Sequence, residues 1–211
     1  GAVITLYAQW TAGEGTAYTV KYYLENLDGS DYEVREETFT GVTGSTVTVS
    51  EKAISGFTCD SEHTDNVPSG VIAGDGSLVL KLYYTRNSYD ANWYDYDGTT
   101  LLTTTSFKYE QAITAPDRIA NREGYTFGGW NIAEVTMTAN GASFNAKDHG
   151  IWSANTYTLV FDANGGTGTM DNQSMTYDQI DDLTANSFVR MGYTFAGWSL
   201  TANGAVIYAD Q

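Results

Sequence analysis

The sequence is short of cysteine, histidine and basic side chains. Its one cysteine, Cys59, excludes an internal disulfide framework. Two histidines leave little for general base catalysis near neutral pH. Lys and Arg total 10 against 26 Asp and Glu, and a net charge of −16 repels nucleic acid and anionic lipid. No apolar run approaches the roughly 20 residues of a membrane span. We therefore expect an acidic protein without disulfides, nucleic-acid partners or membrane insertion.

What the sequence does contain favours short strands. Aromatic residues make up 14% of the chain, with 16 Tyr and 5 Trp, and there are 22 Gly. Aromatic side chains are frequent in strands, and glycine is frequent in tight turns. These proportions indicate a β-rich α+β fold. Short helices are predicted at residues 50–54 and 179–185.

One motif recurs 68 positions along the chain. Residues 124–130 read Gly-Tyr-Thr-Phe-Gly-Gly-Trp, and residues 192–198 read Gly-Tyr-Thr-Phe-Ala-Gly-Trp. Two further pairs of segments share this offset: 89–93 with 157–161, and 109–113 with 177–181. Internal repetition of this kind is the signature of a repeat architecture. We therefore predict two copies of one module, at residues 88–155 and 156–211.

Two segments differ from a complete module. Residues 1–12 carry the motif Leu-Tyr-Ala-Gln-Trp, the pattern of a closing strand whose own module is absent. Residues 156–211 lack a counterpart of the Trp152 segment that ends the first copy. We predict a monomer, or a head-to-tail association in which residues 1–10 add to the open edge near residues 203–211 of another molecule.

Residues 17–87 form a third unit with its own pattern. Residues 18–24 alternate between larger apolar and more polar side chains, which predicts a strand. Asp28-Gly29 predicts a turn into a return strand over residues 32–40. The apolar run at residues 78–84 predicts a strand at the centre of a sheet.

Several of these motifs are similar to known families. The opening Tyr-x-Leu-x-Phe-Asp-x-Asn-Gly-Gly (157–166), the Gly-Tyr-Thr-Phe-x-Gly-Trp core (192–198) and the Leu-Tyr-Ala-Gln-Trp close (6–10) resemble the Listeria–Bacteroides repeat. This is the internalin B-repeat type of bacterial surface proteins. Residues 88–155 resemble it as a diverged copy, and residues 17–87 are similar to the mucin-binding-protein repeat.

Both resemblances imply tandem, small β-grasp-like modules in an elongated array. They imply secreted, cell-wall-attached proteins of bacteria, mostly Gram-positive. The function we infer is a non-catalytic stalk or adhesin segment of a cell-surface protein. The alternative is a glycan- or mucin-binding module, and the partners implied are host or bacterial glycans and proteins.

The aromatic residues divide into a predicted core and a predicted surface. One repeat position holds Trp in both copies and another accepts Trp or Phe, which is typical of core packing. Tyr94 and Tyr96 lack apolar equivalents in the second copy, so we predict that they are exposed and contact a ligand, such as a sugar ring. The predicted repeat core comprises Trp10, Trp93, Trp130, Trp152, Phe161 and Trp198.

Three local patterns contain side chains of the types that bind metals or phosphate or act as nucleophiles. Cys59 to Asp65 concentrates a thiol, an imidazole and carboxylates, as a metal site or a nucleophile–base pair would, but zinc needs three or four spaced ligands. Asp95 to Gly98 resembles part of a calcium loop but lacks the later acidic ligands. Asn164 to Gly168 lacks the ending of a phosphate-binding loop. Loops and turns are the favoured interpretation, and we predict no catalytic, cofactor-binding or metal-binding residue.

Overall fold

The computed structural model describes residues 1–210. The first six strands are β1 (Thr16–Glu25), β2 (Tyr32–Gly41), β3 (Thr46–Thr48), β4 (Phe57–Cys59), β5 (Ser69–Val71) and β6 (Val79–Arg86). The remaining elements are β7 (Ser88–Tyr94), β8 (Leu101–Lys108), β9 (Tyr125–Trp130), β10 (Ala142–Asn145), α1 (Ala146–His149), β11 (Gly150–Ala154), β12 (Thr156–Leu159) and β13 (Gln173–Thr176). The predicted β-rich class is confirmed.

The largest sheet lies in residues 16–86 and has the order β2-β1-β6-β4. β1 and β2 form the predicted hairpin, whereas β1 and β6 run parallel and β6 pairs antiparallel with β4. β6 therefore has a neighbour on each side, as its apolar sequence predicted. Alternate β1 side chains face the core, which the buried residues Val20, Tyr22, Leu24, Leu80 and Leu82 help to form.

Residues 88–155 form two small sheets. β7 lies between β10 and β8, and β11 pairs antiparallel with β9. The β11–β9 register shifts between Ile151 and Trp152, which pair with Gly129 and Phe127, so Gly128 is the extra residue of a bulge in β9. A four-residue helix, α1, precedes β11, and its N-cap Asn145 accepts the backbone N–H of Asp148 at 2.9 Å. The closing strand β11 therefore begins directly from a capped helical turn.

Residues 156–210 contain less regular structure than the preceding copy. β12 and β13 form an antiparallel pair, as the sequence predicts. The third predicted strand, over residues 192–199, is wrong, because this segment joins only an isolated bridge between Trp198 and Tyr208. Its equivalent, β9, is a strand because β11 supplies a partner. Within residues 156–210 no strand takes the place of β11.

Both predicted helices are also wrong. Residues 50–54 and 179–185 are irregular, and α1 is the one α-helix in residues 1–210. Isolated helices this short are marginal unless tertiary packing supports them. Ile180 is fully exposed and so supplies no such packing. Nothing helical in the described chain has the length and apolar character that a membrane crossing needs.

Two compact units can be distinguished within the chain. The first comprises residues 1–93, 103–116 and 132–144. The second comprises residues 94–102, 117–131 and the residues from 145 onward. Both units therefore include part of the module predicted at residues 88–155.

Candidate functional site

The Cys59 loop is held by hydrogen bonds that occupy the groups a metal would need. The His63 Nε2 lies 3.2 Å from the Tyr32 hydroxyl, and its Nδ1 accepts the Asp65 backbone N–H at 3.2 Å. Burial raises the pKa of the Cys59 thiol, so the nucleophilic thiolate is disfavoured. No cluster of three or more His, Cys, Asp or Glu within residues 1–210 is placed to hold a metal ion. This segment is a structural loop.

The two carboxylates of the Asp95–Gly98 segment stabilise a hairpin turn. Asp97 Oδ1 accepts the backbone N–H groups of Thr99 and Thr100 at 2.7 Å each, and its Oδ2 accepts the Thr100 hydroxyl at 2.6 Å. These bonds, the Thr100 hydroxyl first among them, lower the pKa of Asp97 to about 2. Asp95 Oδ1 accepts the backbone N–H of Asn121 at 2.6 Å. Asp97 thus caps the backbone of its own turn, and Asp95 accepts an N–H from a segment 26 residues further along the chain.

The glycine-rich segment after residue 162 is also a turn. The Gly166 N–H donates to the Ala163 carbonyl at 2.8 Å, and Asn164 and Gly165 have φ angles of 44° and 84°. Left-handed backbone of this kind favours glycine and asparagine. The segment continues into a bridge from Thr167, so the glycines serve chain reversal.

The predicted core aromatics pack to very different extents. Trp93 is fully buried, stacks on Phe144 with 4.6 Å between ring centroids, and donates its Nε1–H to the Thr105 hydroxyl at 2.8 Å. At the equivalent position in the next copy, Phe161 is half-buried and lies 4.8 Å from the Trp198 ring. Trp10 is 91% exposed, because residues 1–12 pair with no strand.

Trp130 and Trp152 meet through Phe127. The Phe127 ring lies 5.4 Å from that of Trp130 and 5.0 Å from that of Trp152, both edge to face. Trp152 donates its Nε1–H to the Ala146 carbonyl at 2.8 Å, and Trp130 donates to the Arg118 carbonyl at 3.2 Å. The indoles are therefore anchored at both their apolar and polar ends.

Tyr94 and Tyr96, the predicted ligand contacts, are both half-exposed. The Tyr96 ring packs edge-on against Trp152 at 5.6 Å. The Arg122 guanidinium carbon lies 4.7 Å from the centre of the Tyr96 ring and 3.5 Å from that of Tyr125. Tyr96 therefore belongs to a partly exposed cluster of stacked aromatic and guanidinium groups, which we call the Arg122 stack.

A single asparagine links the two repeat copies. Asn155 lies between β11 and β12, where its N–H donates to the Gly124 carbonyl at 2.8 Å. Its own carbonyl accepts the Tyr177 N–H at 2.9 Å, and its Oδ1 accepts the Thr126 hydroxyl at 2.6 Å. We call this arrangement, with the Tyr177 ring beside Gly124, the Asn155 joint. The connection between the copies is short and fixed, because Asn155 bonds to Gly124 of the first copy and to Tyr177 of the second.

A tyrosine ring completes the Asn155 joint. A Cβ atom at Gly124 would overlap the Tyr177 ring, and the φ of 75° at Gly124 also favours glycine. Tyr177 packs edge to face on Tyr125 at 5.6 Å, and the Tyr125 hydroxyl donates to Asp178 Oδ2 at 3.0 Å. That hydrogen bond is the main cause of a raised Tyr125 pKa. The glycine therefore serves as a socket for the aromatic ring of the next module.

The same joint occurs 68 residues earlier. The Asn87 N–H donates to the Gly56 carbonyl at 2.9 Å, and the Asn87 carbonyl accepts the Tyr109 N–H at 2.8 Å. The Asn87 Oδ1 accepts the Thr58 hydroxyl at 2.8 Å, and a Cβ at Gly56 would overlap the Tyr109 ring. We call this the Asn87 joint. Residues 17–87 thus share the repeat's connection, although the rest of their sequence differs.

The Asn87 joint carries an additional clamp. Arg86 is buried, and its guanidinium donates to the Tyr109 carbonyl at 2.9 Å, to Glu110 Oε2 at 2.7 Å and to the Glu25 carbonyl at 2.9 Å. Three acceptors satisfy the buried cation. Ala154 occupies the equivalent position of the Asn155 joint and provides no such contact.

A third socket of the same sequence lies open. Gly192 has a φ of 79°, close to that of Gly124, but nothing lies within 4 Å of a Cβ built on it. Tyr193, the counterpart of Tyr125, is 69% exposed and has the Arg190 guanidinium 4.3 Å from its ring centre. Gly192 therefore shares the left-handed backbone of Gly124, and within residues 1–210 no aromatic ring packs on it.

These features define a protein of tandem β-rich repeats joined by a repeated connection. The Listeria-Bacteroides repeat domain matches residues 91–149 and 157–211, which together exceed half of the chain. The chain therefore belongs to the Listeria-Bacteroides repeat domain family, as the sequence motifs predict, and this is a family of repeats of surface proteins.

Two relatives from Evansella cellulosilytica are similar over much of the chain. A protein named "Putative membrane protein" is 28% identical over 184 residues, covering 75% of this chain and 27% of its own length. A second, named "Putative Gly-rich membrane protein", is 25% identical over 202 residues, covering 92% of this chain and 22% of its own length. The chain thus spans about a quarter of the relatives it matches.

Sequence reasoning missed the residues that form the joints. The predictions singled out tryptophan and tyrosine by repeat position and left Asn87, Asn155, Gly56 and Gly124 without a role. The available signal was the 68-residue offset, which relates each asparagine and each glycine to its counterpart.

Proposed function

We propose that this chain is a non-catalytic segment of a bacterial cell-surface protein and serves as a stalk or adhesin region. The protein would be secreted and attached to a cell wall of Gram-positive type. Membership of the repeat family and the names of the two relatives support a location at the cell surface. The net charge of −16 would keep such a segment hydrated and separate from anionic surfaces.

The recurrence of one joint carries this proposal. The Asn87 and Asn155 joints use the same three asparagine hydrogen bonds and the same tyrosine-on-glycine packing. A binding protein needs a surface, whereas a stalk needs each module to be held at a defined orientation to the next. A stalk therefore requires a short, fixed connection that is repeated from module to module.

We further propose that the modules are β-grasp-like and follow one another in an elongated array. The parallel pairing of β1 and β6, flanked by the antiparallel partners β2 and β4, supports a β-grasp-like unit at residues 17–87. The order of predicted modules, 17–87, 88–155 and 156–211, follows from the offset and from the positions of the two joints.

Spin-label distances across the Asn155 joint test the stalk. In a Cys59→Ser background, nitroxide labels at the exposed positions Thr99 and Ser174, which lie on either side of the joint, should give one narrow distance distribution. Tyr177→Ala should broaden it by removing the ring from its socket. Tyr157→Ala, which removes a tyrosine that is 46% exposed, is the matched control and should leave it narrow. An equally broad distribution in the unmodified joint would overturn the stalk proposal.

The Arg122 stack supports the alternative, a glycan- or mucin-binding module. Half-exposed Tyr96 lies beside Trp152 and under Arg122. Tyr94, also half-exposed, is the last residue of β7 and lies two positions earlier. Aromatic faces and a guanidinium suit the apolar and hydroxyl faces of a sugar. The resemblance of residues 17–87 to the mucin-binding-protein repeat points the same way.

A binding screen distinguishes the two candidates. The chain is tested against mucins, matrix proteins and a broad glycan panel, beside the Tyr94→Ala/Tyr96→Ala double variant. Saturable binding that the double variant loses and Tyr157→Ala retains would favour the binding module. Absence of binding at high concentration would leave the stalk as the account of this segment.

A further inference from the structure

The chain enters and leaves the unit at residues 17–87 through two neighbouring strands. It enters at Thr16, the first residue of β1, and leaves at Arg86, the last residue of β6. These strands pair directly and run parallel, in a register that covers Thr19 to Leu24 of β1. The points of entry and exit therefore lie at opposite ends of one strand pair.

Tension along the chain loads this strand pair in shear. A pull on the residues before Thr16 draws β1 toward its own N-terminus, and a pull on the residues after Arg86 draws β6 toward its own C-terminus. Because the strands are parallel, these two directions are opposite, and the strands are drawn past each other along their length. The hydrogen bonds of the ladder then resist together, whereas a strand pair pulled apart from one end breaks one bond at a time.

Further hydrogen bonds fasten both ends of the β1–β6 ladder. At one end the Thr19 N–H donates to the Leu78 carbonyl at 3.0 Å. At the other end the Arg86 N–H donates to Glu25 Oε2 at 2.8 Å, and the Arg86 Nε–H donates to the Glu25 carbonyl at 2.9 Å. Glu25 and Arg86 are the last residues of their strands. Buried Arg86 therefore ties the strands together at a point where shear moves them apart.

Side chains cover the ladder on both faces. On one face, alternate residues of β1 and β6 belong to the buried core: Val20, Tyr22, Leu24, Leu80, Leu82 and Tyr84. On the other face, the Tyr83 ring stacks with those of Tyr23 and His63, with 4.4 Å and 3.9 Å between ring centroids. Tyr83 is only 8% exposed. These side chains keep water from the hydrogen bonds between the strands, and a hydrogen bond shielded from water is stronger.

We propose that the unit at residues 17–87 is a shear clamp, which resists tension along the chain through its β1–β6 pair. Arg86 also connects the clamp to the Asn87 joint, because its guanidinium donates to the Tyr109 carbonyl and to Glu110 Oε2. The inference rests on the stalk proposal in one respect, since only a segment held on both sides carries tension. It goes further by assigning the load to one pair of strands.

Pulling the full chain in two directions tests the clamp. In a Cys59→Ser background, handles are attached through Ala17→Cys with either Thr85→Cys or Thr40→Cys, and all three handle positions are exposed. The 17/85 handles load β1 against β6 in shear. The 17/40 handles open the β1–β2 hairpin from its free end, where Ala17 lies opposite Thr40. At the same constant force, the unfolding rate should be at least about tenfold lower with the 17/85 handles.

Equal rates in the two directions, or slower unfolding with the 17/40 handles, would overturn the clamp. The midpoints of urea unfolding of the two variants should agree, which leaves the direction of the load as the difference between them. The outcome is separate from that of the spin-label experiment. Equal rates together with a narrow distance distribution would leave the stalk and remove the clamp.

Arg86→Met tests the fastening at the end of the ladder. Loss of the guanidinium bonds should raise the unfolding rate with the 17/85 handles about tenfold, since hydrogen bonds of charged groups are among the stronger ones. The rate with the 17/40 handles should change less, because Glu25 lies at the far end of β1 from Ala17, where bonds break last.

Arg35→Met is the matched control for this substitution. It removes an exposed arginine of β2, which pairs with Glu33 on the same strand, and it should change neither rate. An equal rise of both rates in Arg86→Met would mean that Arg86 supports the fold in general and is not part of the clamp. If Arg86→Met does not fold, the comparison of the two directions decides the proposal by itself.

Discussion

The two repeat copies differ far more in packing than in sequence pattern. Residues 88–155 bury a set of apolar side chains: Ala91, Trp93, Phe107, Ile113, Ala120, Met137, Phe144 and Ala146. In residues 156–210, Met175 is the one apolar residue that is buried. Both copies hold the same Gly-Tyr-Thr-Phe motif, so the motif does not by itself produce a core. A clear structural difference is β11, which pairs with β9 in the first copy and has no counterpart within residues 156–210.

The largest expected effect comes from removing the cover of the first copy. Trp152→Ala should increase amide exchange in β9, corresponding to a loss of about 3 kcal/mol in local opening free energy. The same substitution at the matched position, Trp10→Ala, should leave exchange unchanged in dilute monomer, because that side chain is exposed.

Residue-resolved hydrogen exchange measures both variants, since the several modules need not unfold in one transition. If Trp152→Ala left β9 as protected as before, the closing strand would not be what distinguishes the copies.

An intermediate effect is expected at the sockets. Gly124→Ala and Gly192→Ala both place a Cβ in left-handed backbone, which costs about 1 kcal/mol. Only Gly124→Ala also overlaps a tyrosine ring, which should add roughly 1–3 kcal/mol. Thermal unfolding should therefore show a clearly larger loss for Gly124→Ala, and equal losses would mean that the Asn155 joint contributes nothing to stability.

The smallest effect concerns the hairpin turn of the first copy. The folded pKa of Asp97 is lowered, so the stabilisation from its carboxylate is complete above its unfolded value near 4 and is lost as the pH falls toward 2. Asp97→Asn should abolish this loss of stability between about pH 4 and about pH 2. The measurement is the pH dependence of the NMR chemical shifts of the Thr99 and Thr100 amides, which donate to the carboxylate. In the second copy, Asp162 Oδ1 accepts the backbone N–H of Asn164 at 2.7 Å, and Asp162→Asn serves as the comparison.

Much of the local structure follows from the sequence. The alternation in residues 18–24 and the Asp-Gly turn predict the β1–β2 hairpin, and the apolar run at 78–84 predicts a central β6. Each of these signals is local, or depends only on whether a strand is buried on one face or two.

The predictions failed where a partner decides the structure. Residues 124–130 and 192–198 have nearly the same sequence, yet one forms β9 and the other forms only a bridge. Residues 179–185 have helix-compatible composition but no face to bury. The 68-residue offset marks the residues of the joints, but it does not predict their contacts, because the three bonds of Asn155 come from segments that are distant in sequence.

A joint built by one asparagine, one glycine and one tyrosine at fixed spacing also has a genetic consequence. Loss of residues 88–155 would connect Asn87 directly to Thr156, with Gly56 still the socket and Tyr177 the incoming ring. Every part of the connection would be present after the loss, and after a duplication of the same length. Recombination in units of 68 residues therefore changes how many modules a protein has and leaves each boundary intact.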